Sequence, residues 1–584
     1  MKPIIYQLFP RWFGNKNTTR KHDGSIEENG CGKFNDLDAA TLRRIRSLGA
    51  THLWLTGIIR HATQTDYSRF GIPRQHPQVV KGRAGSPYAI ADYYDVDPDL
   101  AVDVEHRMEE FEALVGRAHA HDMKVVIDFV PNHVARQYQS IGKPDGERDL
   151  GEDDDPTMHF STHNNYYYLW GQPLELSFLA PSSTDSSFLV PRSSFLDKFL
   201  APPSSYEEIP AKATGNDQFS NRPSRNDWYE TIKLNYGVDY CDAGGRSEHF
   251  DPIPDTWQKM LNILLFWASK DIDAFRCDMV FMVPVAFWKW AISQVKNEYP
   301  NIKFIGEIYD PAIYRSYIGY GGFDYLYDKV GLYDTLRAVV ECRESASAIT
   351  RCWQSVDDIQ DRMLNFLENH DEQRVASDFF AGDARKALPA FVVSALMRTN
   401  PFMLYFGQEL GERGMDAEGF SGRDGRTTIF DYWALASMQA WIGAKHDYRM
   451  NRIGQEQREI RDYYATILGL SQRRPFAEGT FFDLTYCNYG NASFDIHRQY
   501  AFLRHAGGET VLVVANFDAD EKHVAVNIPA EAWDYVNIMA DGKCHLRDLI
   551  QGVGKTVDLV RHRPFELTVP GYGARVISLT ESSR

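Results

Sequence analysis

Four short segments end in side chains suited to acid–base or nucleophilic work. They are Asp128-Phe-Val-Pro-Asn132-His133, Phe275-Arg276-Cys277-Asp278, Ile305-Gly306-Glu307 and Glu368-Asn369-His370-Asp371-Glu372-Gln373-Arg374. Each contributes a carboxylate, and unpaired acids converging in one place repel one another, a cost that a purely structural role does not explain. Convergent carboxylates suit cleavage of a glycosidic bond. One attacks or stabilises the anomeric carbon while a second, with a raised pKa, protonates the leaving oxygen. Arg276 stands two residues before Asp278, so on a strand both point the same way. An adjacent cation keeps a nucleophilic carboxylate ionised. Glu307 has no cation near it in sequence and reads as the acid, with Gly306 leaving room beside it. Asp371 and His370 read as ligands for sugar hydroxyls.

These segments need a scaffold that brings them together. Short apolar runs at Ile4–Phe9, Thr51–Leu55, Lys124–Phe129, Asp273–Cys277, Lys303–Ile305, Phe323–Tyr327, Met363–Leu367 and Phe402–Phe406 read as strands. Amphipathic helical patterns fall between them, as in Leu37-Leu42-Ile45-Leu48 and Trp257–Ala268. Repeated βα units of this number predict a closed (β/α)₈ TIM barrel, an α/β fold. All four acidic segments then lie at C-terminal strand ends, where such barrels carry their sites. The rhythm breaks at residues 135–250, a Pro-, Ser-, Asp- and Gly-rich stretch too long for a bare loop and read as an inserted domain after the third strand. From about residue 478 helical periodicity gives way to alternation, as in Thr510–Phe517, His523–Ile528 and Ala574–Leu579. This predicts a C-terminal all-β sandwich over 478–584, with the barrel occupying 1–134 and 251–477.

Taken in order, the motifs resemble those of glycoside hydrolase family 13, the α-amylase family: Asp128…Asn132-His133, Phe275-Arg276-Cys277-Asp278, Gly306-Glu307 and Asn369-His370-Asp371. Gly49…Trp54, Tyr405-Phe-Gly-Gln-Glu409 and Gly85-Ser-Pro-Tyr88…Asp92-Tyr93 resemble secondary signatures of the same family. The resemblance implies Asp278 as nucleophile, Glu307 as general acid/base and Asp371 as transition-state stabiliser. It further implies Tyr88, Asp128, His133, Arg276 and His370 around the same sugar. Arg374, in the motif following Asp371, is assigned with them to substrate binding. The implied reaction is retaining hydrolysis of α-glucosidic bonds in starch-type glucans or maltooligosaccharides, with the Asp278 and Glu307 carboxyls about 5–5.5 Å apart.

The family pattern is departed from in places. Phe281 and Met282 stand where many α-amylases carry a Lys that binds the leaving sugar and a His whose carbonyl helps bind calcium. Asn132 therefore has two readings, a calcium ligand as the resemblance implies or a turn-stabilising side chain. No cofactor is required for the chemistry, and structural calcium stays open. Thr231-Ile-Lys233-Leu234-Asn235 resembles the inserted-domain signature of neopullulanases and cyclomaltodextrinases, which sets debranching or cyclodextrin hydrolysis beside α-1,4 cleavage. Glucosyl transfer, and a non-catalytic glucan-binding homologue, complete the alternatives. Two loops also have paired readings. Tyr432-Trp433 is an outer sugar platform or a packing pair, and Asn29-Gly-Cys-Gly-Lys33 is a metal- or substrate-binding loop or a plain connection.

Bulk composition bounds the rest. With 584 residues, of which 43% are hydrophobic, the chain exceeds one core and divides into domains. A formal net charge of −17 disfavours nucleic acid and anionic membranes as partners; it is compatible with a neutral substrate and reads first as solubility alone. Seven scattered Cys show neither zinc spacing nor a disulfide framework. No apolar run is long enough to span a membrane. No basic, apolar, cleavable leader precedes Ile4. Compartment is left open between cytoplasm and, had a leader been removed, periplasm or exterior. Oligomeric state is not encoded in any motif.

Overall fold

The computed structural model describes residues 1–179, 205–416, 419–420, 422–443, 447–538 and 541–580. Part of the inserted segment, residues 180–204, lies outside this set. Eight parallel strands close a barrel: β1 (Ile4–Leu8), β2 (His52–Leu55), β3 (Lys124–Phe129), β4 (Ala274–Cys277), β5 (Lys303–Gly306), β6 (Tyr325–Tyr327), β7 (Met363–Phe366) and β8 (Phe402–Tyr405). Seven fall within the runs expected from sequence, and β5 extends one residue past its run, to Gly306. The barrel closes through β1 and β8, with Ile4 opposite Phe402 and Gln7 opposite Tyr405. The Tyr6 hydroxyl donates to buried Glu409 Oε1 at 2.8 Å and fastens that seam.

The strands are apolar on both faces because helices cover the outside, as a parallel sheet requires. The helix at Ala39–Arg46 buries Leu42 and Ile45, starts on an Asp38 cap that accepts from Thr41 N–H, and ends in arginines that complement its dipole. The helix at Asp255–Ala268 buries Met260, Leu264 and Trp267 on its barrel side.

The insert is tied to the barrel directly after β3. His133–Ala135 pairs antiparallel with Thr231–Lys233, so the Asn132-His133 turn is held by a strand from the far end of the insert. Within it, Tyr168–Leu169 pairs with Ala211–Lys212, over a small core of Leu169, Leu174 and Ala211.

The C-terminal region is all-β apart from short helical turns. Strands β9 (Thr480–Asp483), β10 (Gln499–Ala506), β11 (Glu509–Asn516), β13 (Gly542–Asp548), β14 (Gly554–Leu559) and β16 (Gly573–Ser578) form one sheet. A second, two-stranded sheet pairs β12 (Lys522–Val526) with β15 (Phe565–Val569). Period-two alternation divides the larger sheet's residues between two cores. Tyr500, Phe502, Val511, Val513 and Val576 pack into the barrel's core, while Ala501, Leu503, Leu512, Val514 and Ile577 face the second sheet. Among the described residues, no helix is long and apolar enough to cross a membrane.

Candidate active site

Strand register places the acidic segments side by side. Cys277 of β4 is opposite Gly306 of β5, so Asp278 and Glu307 are the next residues of two neighbouring strands. The ladder continues past both ends: Asp278 N–H donates to Phe129 O at 2.9 Å and Glu307 N–H to Cys277 O at 3.0 Å. Arg276 is directly opposite Asp128 of β3. Two steps of register thus bring three acids around one guanidinium.

That guanidinium is the hub. Arg276 is fully buried, with Nη1 donating to Asp278 Oδ1 at 2.8 Å, Nη2 lying 2.7 Å from Glu307 Oε2 and Nη1 3.6 Å from Asp128 Oδ1. Nε donates to the Tyr327 hydroxyl at 3.1 Å, and the rings of Trp54, Tyr88 and Tyr327 surround it within 5.5 Å. Sequence spacing tied Arg276 to Asp278 and gave Glu307 no cation nearby along the chain. The structure corrects this, because strand adjacency supplies a neighbour that sequence distance hides.

Burial and then the Glu307 charge push the Asp278 carboxyl up, against the pull of Arg276. The expected lowering by arginine is therefore outweighed while the cleft is free. Asp371 differs. Burial would raise it, but His370, Arg276 and Arg426 together hold it below the ordinary carboxylate range. Asp371 is thus favoured in its ionised form, whereas the Asp278 carboxyl is biased towards its protonated one.

Glu307 is held from three directions. Met279 N–H donates to its Oε2 at 3.0 Å, the Tyr309 hydroxyl donates to its Oε1, and Arg276 contacts Oε2. Met279 adopts φ +41, the left-handed region that a bulky residue rarely enters, and this turn aims its N–H at the acid. Neither Met279 nor Tyr309 was singled out from sequence. Tyr309, two residues beyond Glu307 on the same strand end, carried the spacing signal that could have found it. The space at Gly306 has a different use from the one expected. A Cβ there would meet Leu326 Cδ2 at 2.8 Å and Phe323 Cδ1 at 3.1 Å, so the glycine admits packing behind the strand rather than sugar.

Asp371 follows an Asx turn in which Asn369 Oδ1 accepts from the N–H groups of Asp371 and Glu372, both at 2.9 Å. His370 Nε2 lies 3.1 Å from Asp371 Oδ2 and is hydrogen-bonded to the Tyr88 hydroxyl, whose ring stacks on the imidazole with centroids 5.3 Å apart. Gln7 Nε2 faces His370 Nδ1 at 2.8 Å and donates to Thr56 Oγ1 at 3.0 Å, which holds the imidazole ring from behind. Asp128 Oδ2 accepts from Trp54 Nε1 at 3.2 Å and Gly57 N–H at 3.3 Å. His133 is pushed down to about 3 by burial, Lys233 and Lys81, so it is neutral in the cleft.

Part of this set opens onto a cleft of about 1280 Å³, while Asp128, Arg276 and His370 stay buried beneath it. Tyr88, His133, Asp278, Glu307 and Asp371 line it. Trp228 and Tyr229 of the insert form one wall, and Phe420 and Phe430, beyond β8, form another. Arg374 does not line it, which corrects the assignment made from sequence. Arg374 is fully buried, pairs with Glu368 at 3.0 Å and donates to Phe406 O at 2.8 Å, so it braces the turn beyond β7 from behind. Tyr432 and Trp433 are buried as well. The Tyr432 hydroxyl donates to Asp99 Oδ2 at 2.7 Å, and Asn29 and Asn15 donate to the Tyr432 and Trp433 carbonyls. Packing is thus the reading that fits both the aromatic pair and the Asn29–Lys33 loop.

The residues at the calcium position do not fit a metal. Asn132 Oδ1 accepts from Lys233 Nζ at 2.8 Å, and the same ammonium lies 2.6 Å from Asp217 Oδ1. Lys233 is buried, so a cation already stands between barrel and insert. Among the described residues no group of three or more His, Cys, Asp or Glu side chains converges as a metal site.

Residues 7–189 and 253–477 match the family profile of the alpha-amylase catalytic domain, and 491–580 that of the alpha-amylase C-terminal all-beta domain. The chain belongs to the alpha-amylase family. It is 22% identical over 426 residues to alpha-amylase 3 of Dictyoglomus thermophilum, covering 70% of this chain and 64% of that protein. It is 23% identical over 282 residues to trehalose-6-phosphate hydrolase of Bacillus subtilis, covering 48% and 35% respectively. The matched region spans less than two thirds of either curated relative. In fold the family member resembles a noncanonic maltogenic alpha-amylase of Thermotoga neapolitana, with a TM-score of 0.60, 19% identity and 99% of each chain covered. It also resembles the alpha-amylase of Geobacillus thermoleovorans complexed with acarbose, with a TM-score of 0.61, 19% identity and 100% and 99% covered.

Proposed function

We propose that the protein hydrolyses α-glucosidic bonds of starch-type glucans or maltooligosaccharides with retention of configuration, through a covalent glycosyl-enzyme. The observation that carries this reading is the in-register Asp278–Glu307 pair sharing Arg276 at the floor of an aromatic-walled cleft. Asp278 and Glu307 are adjacent across neighbouring strands, which suits the close carboxyl pair of retaining enzymes rather than the wider gap that admits a water.

Asp278 attacks the anomeric carbon as Glu307 passes its proton to the glycosidic oxygen, and the leaving sugar departs. Charge then redistributes around Arg276, whose guanidinium loses contact with one carboxylate charge as Asp278 becomes an ester. Glu307, now ionised, takes a proton from water, which attacks the anomeric carbon and frees Asp278. Asp371, held ionised, grips sugar hydroxyls and stabilises the positive charge of the oxocarbenium-like state. Tyr88 supplies an apolar ring face at the same sugar, with the His370 imidazole stacked against it.

Glucosyl transfer is a second reading favoured by one feature. Phe281, 36% exposed, and Tyr309 place two rings 6.4 Å apart just beyond the acid, where an acceptor sugar can stack and exclude water. The Lys233-Leu234-Asn235 signature carries less weight for substrate choice, since Lys233 serves the barrel–insert junction. Incubation with maltoheptaose, pullulan and a cyclodextrin, followed by product separation, tests these readings. Cleavage of maltoheptaose to shorter oligosaccharides supports hydrolysis, longer products support transfer, and no turnover of any of the three by the folded protein rejects the proposal.

A further inference from the structure

A second cavity, of about 650 Å³, lies where the C-terminal sheet meets the barrel. Its barrel side comes from the helix at Ala348–Ser355, which leads into β7, and from Arg398 and Thr399, which precede β8. These are the N-terminal ends of the strands, so the cavity opens on the face opposite the carboxylates. Its other side is β9 with Tyr486 and Tyr535.

The lining has a particular composition. Phe482 sits between Tyr486 and Tyr535, with ring centroids 6.2 and 5.8 Å away. The two tyrosines are 52% and 58% exposed. The Tyr486 hydroxyl donates to Glu531 Oε1 at 2.6 Å, which fixes that ring in its outward pose. The floor is rigid. Asp483 Oδ2 accepts from Trp353 Nε1 at 2.8 Å and Thr350 Oγ1 at 2.6 Å, tying helix to strand. The one cation of the lining, Arg398, donates to Asp357 at 2.7 Å, so its charge is already matched. A cavity of ligand size, lined by aromatic rings and with a rim whose charge is balanced or acidic, repels polyanions and suits a neutral polyhydroxylated chain.

We infer that this cavity, built on Phe482, Tyr486 and Tyr535, is a second, non-catalytic binding site for linear α-glucan. The inference rests on the glucan reading of the cleft. Each ring stacks on the C–H face of a glucosyl unit, and the rim meets its hydroxyls. Because the two sites face opposite ways, one short oligosaccharide cannot occupy both, whereas a polymer can be held at one and cut at the other by neighbouring molecules or distant segments. Anchoring of this kind raises the local concentration of long chains and leaves short substrates untouched.

The test uses the full chain and the double variant Tyr486→Ala/Tyr535→Ala, whose positions are exposed. Migration in native gels containing amylopectin reads binding to polymer, and kcat/KM on maltoheptaose reads the cleft. We expect the double variant to lose polymer retardation by roughly tenfold in apparent affinity with kcat/KM unchanged. Tyr535→Phe alone, which keeps both rings and the Tyr486–Glu531 bond, should migrate as the parent does. Equal retardation of parent and alanine variant overturns the inference. So does a parent that cleaves maltoheptaose yet is not retarded by amylopectin, and that outcome leaves the proposed function standing. A parent that cleaves no α-glucan but is retarded through these tyrosines sinks the function and sustains the site.

Discussion

Replacing Lys233 with Met tests how barrel and insert are joined. The ammonium is withdrawn from water and has two oxygen partners, Asn132 Oδ1 at 2.8 Å and Asp217 Oδ1 at 2.6 Å. Met keeps the stem and removes the charge. Asn132 Oδ1, buried, then loses its donor, a cost of about 1–3 kcal/mol. Asp217 is about one third exposed at its side chain and recovers water, so its loss falls below the ~3–5 kcal/mol of a fully buried broken pair. We expect a total of about 3 kcal/mol, which scales to a Tm lower by roughly 6–12 °C at ~2–4 °C per kcal/mol. Thermal melts in EDTA and in calcium chloride provide the second arm. The parent melts at the same temperature in both, because its junction is held by an ammonium. Lys233→Asp, which sets a third oxygen ligand beside Asn132 and Asp217, melts low in EDTA and recovers in calcium. A parent whose Tm falls in EDTA, or a Met variant as stable as the parent, refutes the reasoning.

Glu307→Gln keeps the contacts to Met279 N–H and Arg276 but removes the transferable proton, so kcat on maltoheptaose falls by a factor of about 10²–10⁴ while an aryl maltoside with a good leaving group suffers less. Equal losses on both substrates would assign the proton to another group. Arg374→Met strands Glu368 in the interior and lowers unfolding free energy by about 3–5 kcal/mol without raising KM of the folded enzyme, as denaturant melts and steady-state kinetics will show. A raised KM at full stability would return Arg374 to substrate binding. Burial raises Asp97 and Asp99, each to about 6, so the native state holds protons that the unfolded chain releases. Their contribution is fully present below pH 3.8, the unfolded value, and is lost as pH rises through about 6. Urea melts should show Asp99→Asn losing less stability than the parent across that window, and parallel pH profiles would contradict this.

The barrel was legible because its strands are short apolar runs separated by amphipathic helices, a period change that needs no tertiary information. Residues such as Asp278 and Glu307 were legible because each stands at a strand end, and Arg276 because its spacing puts it on the same side of the strand. What stayed hidden depends on lateral register. The link from Arg276 to Glu307 crosses from β4 to β5, and the match of Lys233 with Asn132 bridges about a hundred positions. Arg374 was misplaced for a related reason. A motif reports which residues sit on a turn, but the side facing the cleft is decided by packing, here the buried Glu368 and the Phe406 carbonyl. Tyr432 and Trp433 show the same limit, since aromatic rings read alike in sequence whether they floor a sugar site or seal a loop.

The central claim is that Asp278 forms the bond to the sugar, and trapping that bond tests it most directly. The enzyme would be incubated with a 5-fluoro-α-glucosyl or -maltosyl fluoride, which slows the second displacement, then digested and sequenced by mass spectrometry. The account predicts a single glycosyl adduct on the peptide carrying Asp278, absent from Asp278→Asn. An adduct on Glu307 or Asp371, or inverted product with no adduct from an enzyme that turns over the reagent, would contradict it.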